Sequence, residues 1–485
     1  LVSSLPSERA QSVMAEGGIN AALNTKDEND SPEEHFTDTI KAACGLADPN
    51  AVWGMTQAAP ELVHWLLKLG VKFNMSGYDD VDLRNFGGQK KKRTAFAQSD
   101  TGKQIMTAMI DAVRRKEASG MVERFSHHSF LTLRLCGNIC CGCVIRDEYS
   151  QETVELPGDA VIVATGGMHG LFGNTTGSLS NTGEVTAELF RLGVPLANGE
   201  MIQYHPTTVK CGGKRMLISE AARGEGGRLF AMKDGKQWYF MEEKYPELGN
   251  LMPRDITARE IWKVSHESEV FLDMTEISEE IISNKLSGLV DDCMTYLHKD
   301  IRKEPVSVLP GIHYFMGGIL VDEQHRTPIQ NLCAAGECCA QYHGANRLGG
   351  NSLLGALYGG RVAAKSACEQ ADVVDLSCAT QIDFPPASQI SEIKQLNKVM
   401  QETMGVVRNE NTLLNGIQTV QALTGNLPLL GMAVLKSALA RKESRGAHWR
   451  EDYPKSNDDD YLKTTVARFD GKQIQISFVP VPERR

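Results

Sequence analysis

Three short segments between Gly311 and Leu353 set two histidines, an arginine and a glutamate among glycines. The run reads Gly311-Ile-His-Tyr-Phe-Met-Gly-Gly318, then Gly336-Glu337, then His343-Gly-Ala-Asn-Arg-Leu-Gly-Gly-Asn-Ser-Leu353. Glycine lets backbone N–H groups come close to a flat ligand, and cationic side chains on the same wall point at an anion lying against it. Further polar groups stand in glycine-rich or strand-end settings. These are Gln203-Tyr-His205-Pro-Thr207, Ser219-Glu220-Ala-Ala-Arg223-Gly-Glu-Gly-Gly227 and Pro253-Arg254-Asp255. The set holds no Ser/His/Asp nucleophile arrangement. Two or three cations converging on one pocket suit a dicarboxylate, because a guanidinium grips a carboxylate through two parallel hydrogen bonds. An arginine with carboxylate neighbours is also able to relay protons, unusual as that is for so weak an acid.

The elements that must position these groups are legible in outline. Leu1-Val-Ser-Ser reads as the end of a strand followed by a loop. Ser31-Pro-Glu-Glu is a helix start signal, and the apolar spacing of 58–69 predicts a helix ended by Gly70, so 32–70 reads as helices. His64 falls inside that pattern as a packed or surface residue. A further helix is predicted over 100–119, then a β-meander over 122–157 turning at Gly137-Asn138. Ala160-Val-Ile-Val-Ala-Thr-Gly-Gly167 has the form of a buried parallel strand with tight turn chemistry at its carboxyl end, where ligands bind in open α/β sheets. From about 206 to 312 short strands and helices alternate with many charges. The sheet pattern returns at 317–322 and 332–337. After Pro385-Pro386 an all-helical stretch runs to about 447, with Leu and Met at helical spacing that reads as bundle core. The last residues are polar, then strand-like.

Bulk properties exclude several classes. At 485 residues the length suggests two to four domains. A formal net charge of −10 argues against a nucleic-acid surface. The single basic run, Lys90-Lys-Lys-Arg93, reads as a solvated loop. No apolar run approaches membrane-spanning length, so attachment to a membrane would come through a partner. Of the twelve cysteines, Cys136, Cys140, Cys141 and Cys143 match no zinc or ferredoxin spacing. They read as small thiols in a strand pair, and the cysteines generally as reduced, as in a cytoplasmic protein. No metal site is expected.

The ordered motifs resemble the flavoprotein subunits of fumarate reductases and succinate dehydrogenases, with L-aspartate oxidase a close relative. The resemblance runs from Ala15-Glu-Gly-Gly18 to Arg441-Lys-Glu-Ser-Arg-Gly-Ala-His448. It implies an α/β FAD-binding, Rossmann-like domain (1–205 and 313–380). It also implies an inserted α+β capping domain (206–312), a helical domain (385–450) and a C-terminal extension (451–485). By the resemblance, His205, Ser219, His313, Arg347 and Phe86 bind the substrate. Arg254 matches the proton donor, and Glu220 and Arg223 the relay that reprotonates it. Glu16, Gly17, Gly18, Thr165, Gly166, Gly167, Glu337, Ser352 and Leu353 match FAD contacts. His343 belongs to the motif without a certain role. The implied reaction is hydride transfer from flavin N5 to fumarate, protonated on the other carbon by Arg254, with an iron–sulfur subunit delivering electrons.

Two departures qualify the resemblance. Gln11 stands where many members carry a histidine bonded to FAD; glutamine cannot form that bond, so FAD is expected to be non-covalent, with a lower potential that favours fumarate reduction. The family's strand–G-x-G-x-x-G–helix is not found in residues 1–24, and a front segment carrying it is expected to precede Leu1. L-aspartate oxidase, succinate dehydrogenase, a reductase of another unsaturated acid, and a flavin-free assembly subunit remain rival readings.

Overall fold

The computed structural model describes residues 1–77, 80–370, 384 and 389–485. It is an α/β protein in which short parallel pairings lie at the centre. Val161–Val163 runs parallel to Leu332–Ala334, and Gly318–Leu320 parallel to Cys339–Ala340. The strand expected over 160–167 is shorter than its apolar run. Thr165-Gly-Gly167 leaves the sheet, with Gly166 at φ +73°, so the backbone turns away at the strand's carboxyl end.

The first helices form where their caps dictate. The Ser31 hydroxyl accepts from the Glu34 N–H to start Pro32–Ala42, and the Asp48 carboxylate caps Pro49–Leu69. Gly70 ends the latter at φ +102°, a conformation that costs glycine little. Val52, Met55, Leu62, Val63 and Leu66 form its buried face; truncating one of the leucines to alanine would cost about 2–5 kcal/mol. His64 is exposed on the opposite side, as the pattern indicates. The meander is present as His128–Cys136, Ile139–Asp147 and Thr153–Pro157.

Two readings of the sequence are corrected here. The basic run is not simply a solvated loop. Arg93 is fully buried and bridges Asp30 and Asp38 at 2.9 Å each, tying two segments together, while Lys91 and Lys92 lie against Glu28. Nor are all the cysteines reduced: Cys136 is disulfide-bonded. Ten others are free among the described residues, with Cys140 and Cys141 buried in the strand pair as expected.

Ile202–Cys211 and Leu309–Phe315 lie antiparallel, with Ile202 opposite Phe315. Both strands run through the boundaries expected at 205/206 and 312/313. Between them the chain builds a separate sheet ordered Lys236–Trp238, Arg228–Lys233, Val270–Asp273, Val306–Ser307, packed over Leu229, Ile261, Leu272 and Leu289. The helices Ile390–Thr403, Glu410–Val420 and Asn426–Ala440 bury Leu396, Met400, Met404 and Leu430 against Phe172 and Phe315. Those Met and Leu positions are bundle core. The expected breaks at 380 and Pro385-Pro386 lie outside the described residues.

The strand-like tail is a hairpin, Lys463–Phe469 with Ile474–Pro480, that pairs onto Leu196–Ala197. Arg441 fixes the join. It is fully buried, pairs with Glu200 and Glu443 at 2.7 Å, and donates to the Lys463 carbonyl and the Thr465 hydroxyl at 2.7 Å.

Candidate active site

Three side chains sharing buried charge, Glu220, Arg223 and Arg254, form the centre. Ser219 caps the short helix Glu220–Gly224, its hydroxyl accepting from the Ala221 N–H at 3.4 Å, and this turn buries both Glu220 and Arg223. Glu220 Oε2 accepts from Arg254 Nε at 2.8 Å and lies 2.7 Å from Nη2. Its Oε1 accepts from the Gly87 N–H at 3.3 Å and stands 3.3 Å from Arg223 Nη2. Arg254 opens the helix Arg254–Val264 and donates its remaining nitrogen, Nη1, to Gln203 Oε1 at 3.0 Å. Burial works to raise the Glu220 carboxyl, but Arg254 and Arg223 outweigh it and hold the group below its ordinary range. Burial depresses Arg223, with Glu220 opposing. The result is a continuous Arg223–Glu220–Arg254 ladder.

The two histidines come from the paired strands. Gln203 is opposite Tyr314 and Tyr204 opposite Ile312, so His313 is the extra residue of a β-bulge, a device that re-aims a side chain. Its ring meets that of His205 edge-on at 5.2 Å. His313 Nδ1 pairs with the Thr176 hydroxyl at 2.8 Å. His205 Nδ1 is engaged by the Thr207 main chain, leaving Nε2 buried without a partner. Burial, then the charge of Arg254, drives both rings well below the usual histidine range. The sequence reading of these histidines as cations is therefore corrected: in the free site they are neutral, and the permanent cations are arginines.

Arg347 lies with its guanidinium 4.3 Å over the Tyr314 ring, and its Nε is buried without a partner. Burial, then Arg254, lowers it to about 9. Gln203 holds this segment in place, donating to Asn346 Oδ1 at 2.9 Å and to the Arg347 carbonyl at 2.8 Å. His343 stacks edge-on against Tyr314 at 5.3 Å, so it backs the ring on which Arg347 rests.

The glycine-rich segments come together around this centre. A Cβ on Gly17 or Gly349 would stand 3.1 Å from the Phe86 ring, and one on Gly349 also 3.1 Å from Glu220 Oε2. A Cβ on Gly167 would stand 2.7 Å from Glu337 Oε1. That carboxylate accepts from the Phe315 N–H at 3.0 Å. Gly18 at φ +129° packs on the Ala95 carbonyl. Ser352 and Leu353 lie in the first turn of Asn351–Gln370, behind Gly349 and Gly350. Bare backbone leading into a long helix's N-terminus, beside Thr165-Gly-Gly167, fits a flat anionic cofactor. Glu16 differs from the rest of the expected cofactor set, because it lines a small cavity with Arg84 and Ser219. Gln11 Oε1 accepts from the Ser178 N–H at 2.6 Å.

The structure places these sequence-predicted residues in one region and adds four that the sequence left unassigned. Gln203, Tyr314 and Asn346 sit inside the quoted motifs, where their neighbours drew the assignment. Thr176, in Gly173-Asn-Thr-Thr-Gly177, carries no signal of its own; only the fold brings it to His313.

Comparison with known proteins shows the family. The family described as FAD binding domain matches residues 1–353, and that described as fumarate reductase flavoprotein C-term matches 423–484. The succinate dehydrogenase flavoprotein subunit of Bacillus subtilis is 37% identical over an alignment covering 100% of this chain and 93% of that protein. An L-aspartate oxidase from Nostoc sp. is 32% identical, covering 94% and 86%. The FrdA chain of E. coli quinol fumarate reductase superposes with a TM-score of 0.90 at 27% identity, covering 99% and 92%. The chain thus belongs to the succinate dehydrogenase and fumarate reductase flavoprotein family of FAD-dependent oxidoreductases.

Proposed function

We propose that the chain is the flavoprotein subunit of a fumarate reductase, with Arg254 as proton donor. The observation that carries this reading is the buried Arg223–Glu220–Arg254 ladder beside buried nitrogens that lack partners, His205 Nε2 and Arg347 Nε. Buried donors are rarely left unpaired, and a dianion between them would satisfy both. Arg347 and His205 would hold carboxylates with His313 and Ser219, and Phe86 would pack beside them. The charge of Arg347 and Arg254 would draw electron density toward the carboxylates and polarise the alkene.

FAD, held by Gly17, Gly18, Thr165, Gly166, Gly167, Glu337, Ser352 and Leu353, supplies the hydride when bound. Arg254 delivers a proton to the alkene carbon, and Glu220 returns one to Arg254 from Arg223. The ladder keeps Arg254 oriented while it is charged, so proton delivery needs no rearrangement. Gln11 makes the flavin non-covalent and favours reduction over succinate oxidation. The cysteine spacing offers no cluster motif, so an iron–sulfur subunit delivers the electrons. No helix among the described residues is long and apolar enough to cross a membrane, and a membrane would be reached only through that partner.

L-aspartate oxidase is the second reading, favoured by Gln11 and by the Nostoc relative. Fumarate-dependent oxidation of a reduced viologen, assayed beside aspartate-dependent peroxide formation, separates the two. Rapid peroxide with aspartate and no viologen oxidation with fumarate would overturn our assignment.

A further inference from the structure

Asp255 ends the Pro253-Arg254-Asp255 motif, and neither the ladder nor the carboxylate clamp gives it a task. It stands in the first turn of Arg254–Val264, where an acid ordinarily serves only the end of the helix. Here its Oδ1 also accepts from Asn346 Nδ2 at 3.1 Å. Asn346 Oδ1 accepts from Gln203 Nε2 at 2.9 Å, and Gln203 Oε1 from Arg254 Nη1 at 3.0 Å. The peptide bond joining Arg254 to Asp255 closes these contacts into a ring.

Every bond in the ring has one permitted direction. A guanidinium donates and never accepts, so Gln203 must turn its oxygen to Arg254. A carbonyl only accepts, so the Gln203 amide nitrogen must face the Arg347 carbonyl, at 2.8 Å, as well as Asn346. The Asp255 carboxylate in turn draws the Asn346 amide nitrogen to itself and leaves its oxygen for Gln203. With Asn346 reversed, two NH2 groups would meet where a donor now meets an acceptor. Gln203 and Asn346 are buried, so no water relieves that clash. On its other side, Asp255 Oδ2 stands 4.0 Å from Arg259, whose guanidinium rests over the Trp449 ring.

We propose that Asp255 is a positioning residue for proton delivery: its carboxylate fixes the polarity of the Asn346–Gln203 amide pair, and that pair holds Arg254 Nη1 and the Arg347 main chain in register. Asp255 touches no substrate and moves no proton. Its negative charge polarises both amides in the same sense, so Gln203 Oε1 offers Arg254 a stronger acceptor. One amide, Gln203, thereby sets the spacing between the proton donor and the carboxylate clamp. The inference rests on the reading of Arg254 as proton donor to fumarate.

Flavin-loaded wild type, Asp255→Ala, Asp255→Asn, Asn346→Ala and the double alanine variant would be assayed for fumarate reduction in H2O and D2O. Malonate, which has no CH–CH bond to oxidise, would be titrated calorimetrically to report binding without turnover. Asp255→Ala should lower kcat roughly 10- to 100-fold, the scale of a small displacement passed on to a reacting group, while malonate affinity falls much less. Its solvent isotope effect should rise, because proton delivery becomes the slower step. Asp255→Asn still offers an acceptor oxygen and should recover most of the loss. Asn346→Ala breaks the same chain without touching the start of the helix and should show the same loss and the same isotope effect. The double variant should be no slower than the slower single variant, since both act through one chain. Losses that multiply in the double variant, an unchanged isotope effect, or wild-type turnover in either single alanine variant overturns this inference alone. A wild type that binds malonate but reduces no fumarate overturns the fumarate reductase reading and this inference with it.

Discussion

Arg254 is gripped on three of its nitrogens, by Glu220 through Nε and Nη2 and by Gln203 through Nη1. A group so held loses little orientation when it delivers a proton. Arg254→Gln should therefore lower turnover by about 10²- to 10⁴-fold, the usual worth of a positioned acid, while malonate affinity falls far less; steady-state kinetics beside calorimetry checks the split. Tyr314 acts through Arg347. Tyr314→Leu removes the ring under the guanidinium, an interaction of about 0.5–2 kcal/mol, and should lower kcat/KM by roughly 2- to 30-fold. The neutral histidines carry a pH consequence of their own. Burial depresses His205 and His313 in the free site, and a bound dianion pulls them back up, so dicarboxylate binding near pH 6 should take up protons; calorimetry in two buffers measures it.

At the scale of elements, caps and periodicity carried most of the information. Ser31, Asp48 and Gly70 announce their helices because each satisfies a local requirement, a side chain accepting an end N–H or a backbone needing φ above zero. Arg93 shows where local reading ends. Its burial comes from Asp30 and Asp38, some sixty residues away in sequence, and a run of lysines gives no sign of it. Thr176 and the bulge at His313 were hidden for the same reason, since pairing register belongs to two strands at once. The Arg441 join makes a sharp case for stability. Glu200→Gln leaves a fully buried guanidinium without one of its two carboxylates and should cost about 3–5 kcal/mol. Thermal unfolding should fall accordingly, and limited proteolysis should release the Lys463–Pro480 hairpin first.

For the molecule as a whole, the family's fold and the cofactor's glycine-lined half are readable from motif order. The mode of cofactor attachment is read from one position, Gln11. Acid precipitation of the native protein should leave the flavin in the supernatant; flavin retained on the polypeptide would contradict the non-covalent reading. Free FAD should in turn raise the melting temperature with concentration, as any ligand specific to the native state does. The pairing of Lys463–Phe469 with Leu196–Ala197 also has a meaning in time. A chain leaving the ribosome from its N-terminus carries Leu196–Ala197 with an open edge until residues 463–480 have been made. During translation that edge is a sticky surface for other nascent chains, so the protein's yield in a cell should depend on chaperones that shield it until the Lys463–Pro480 hairpin arrives.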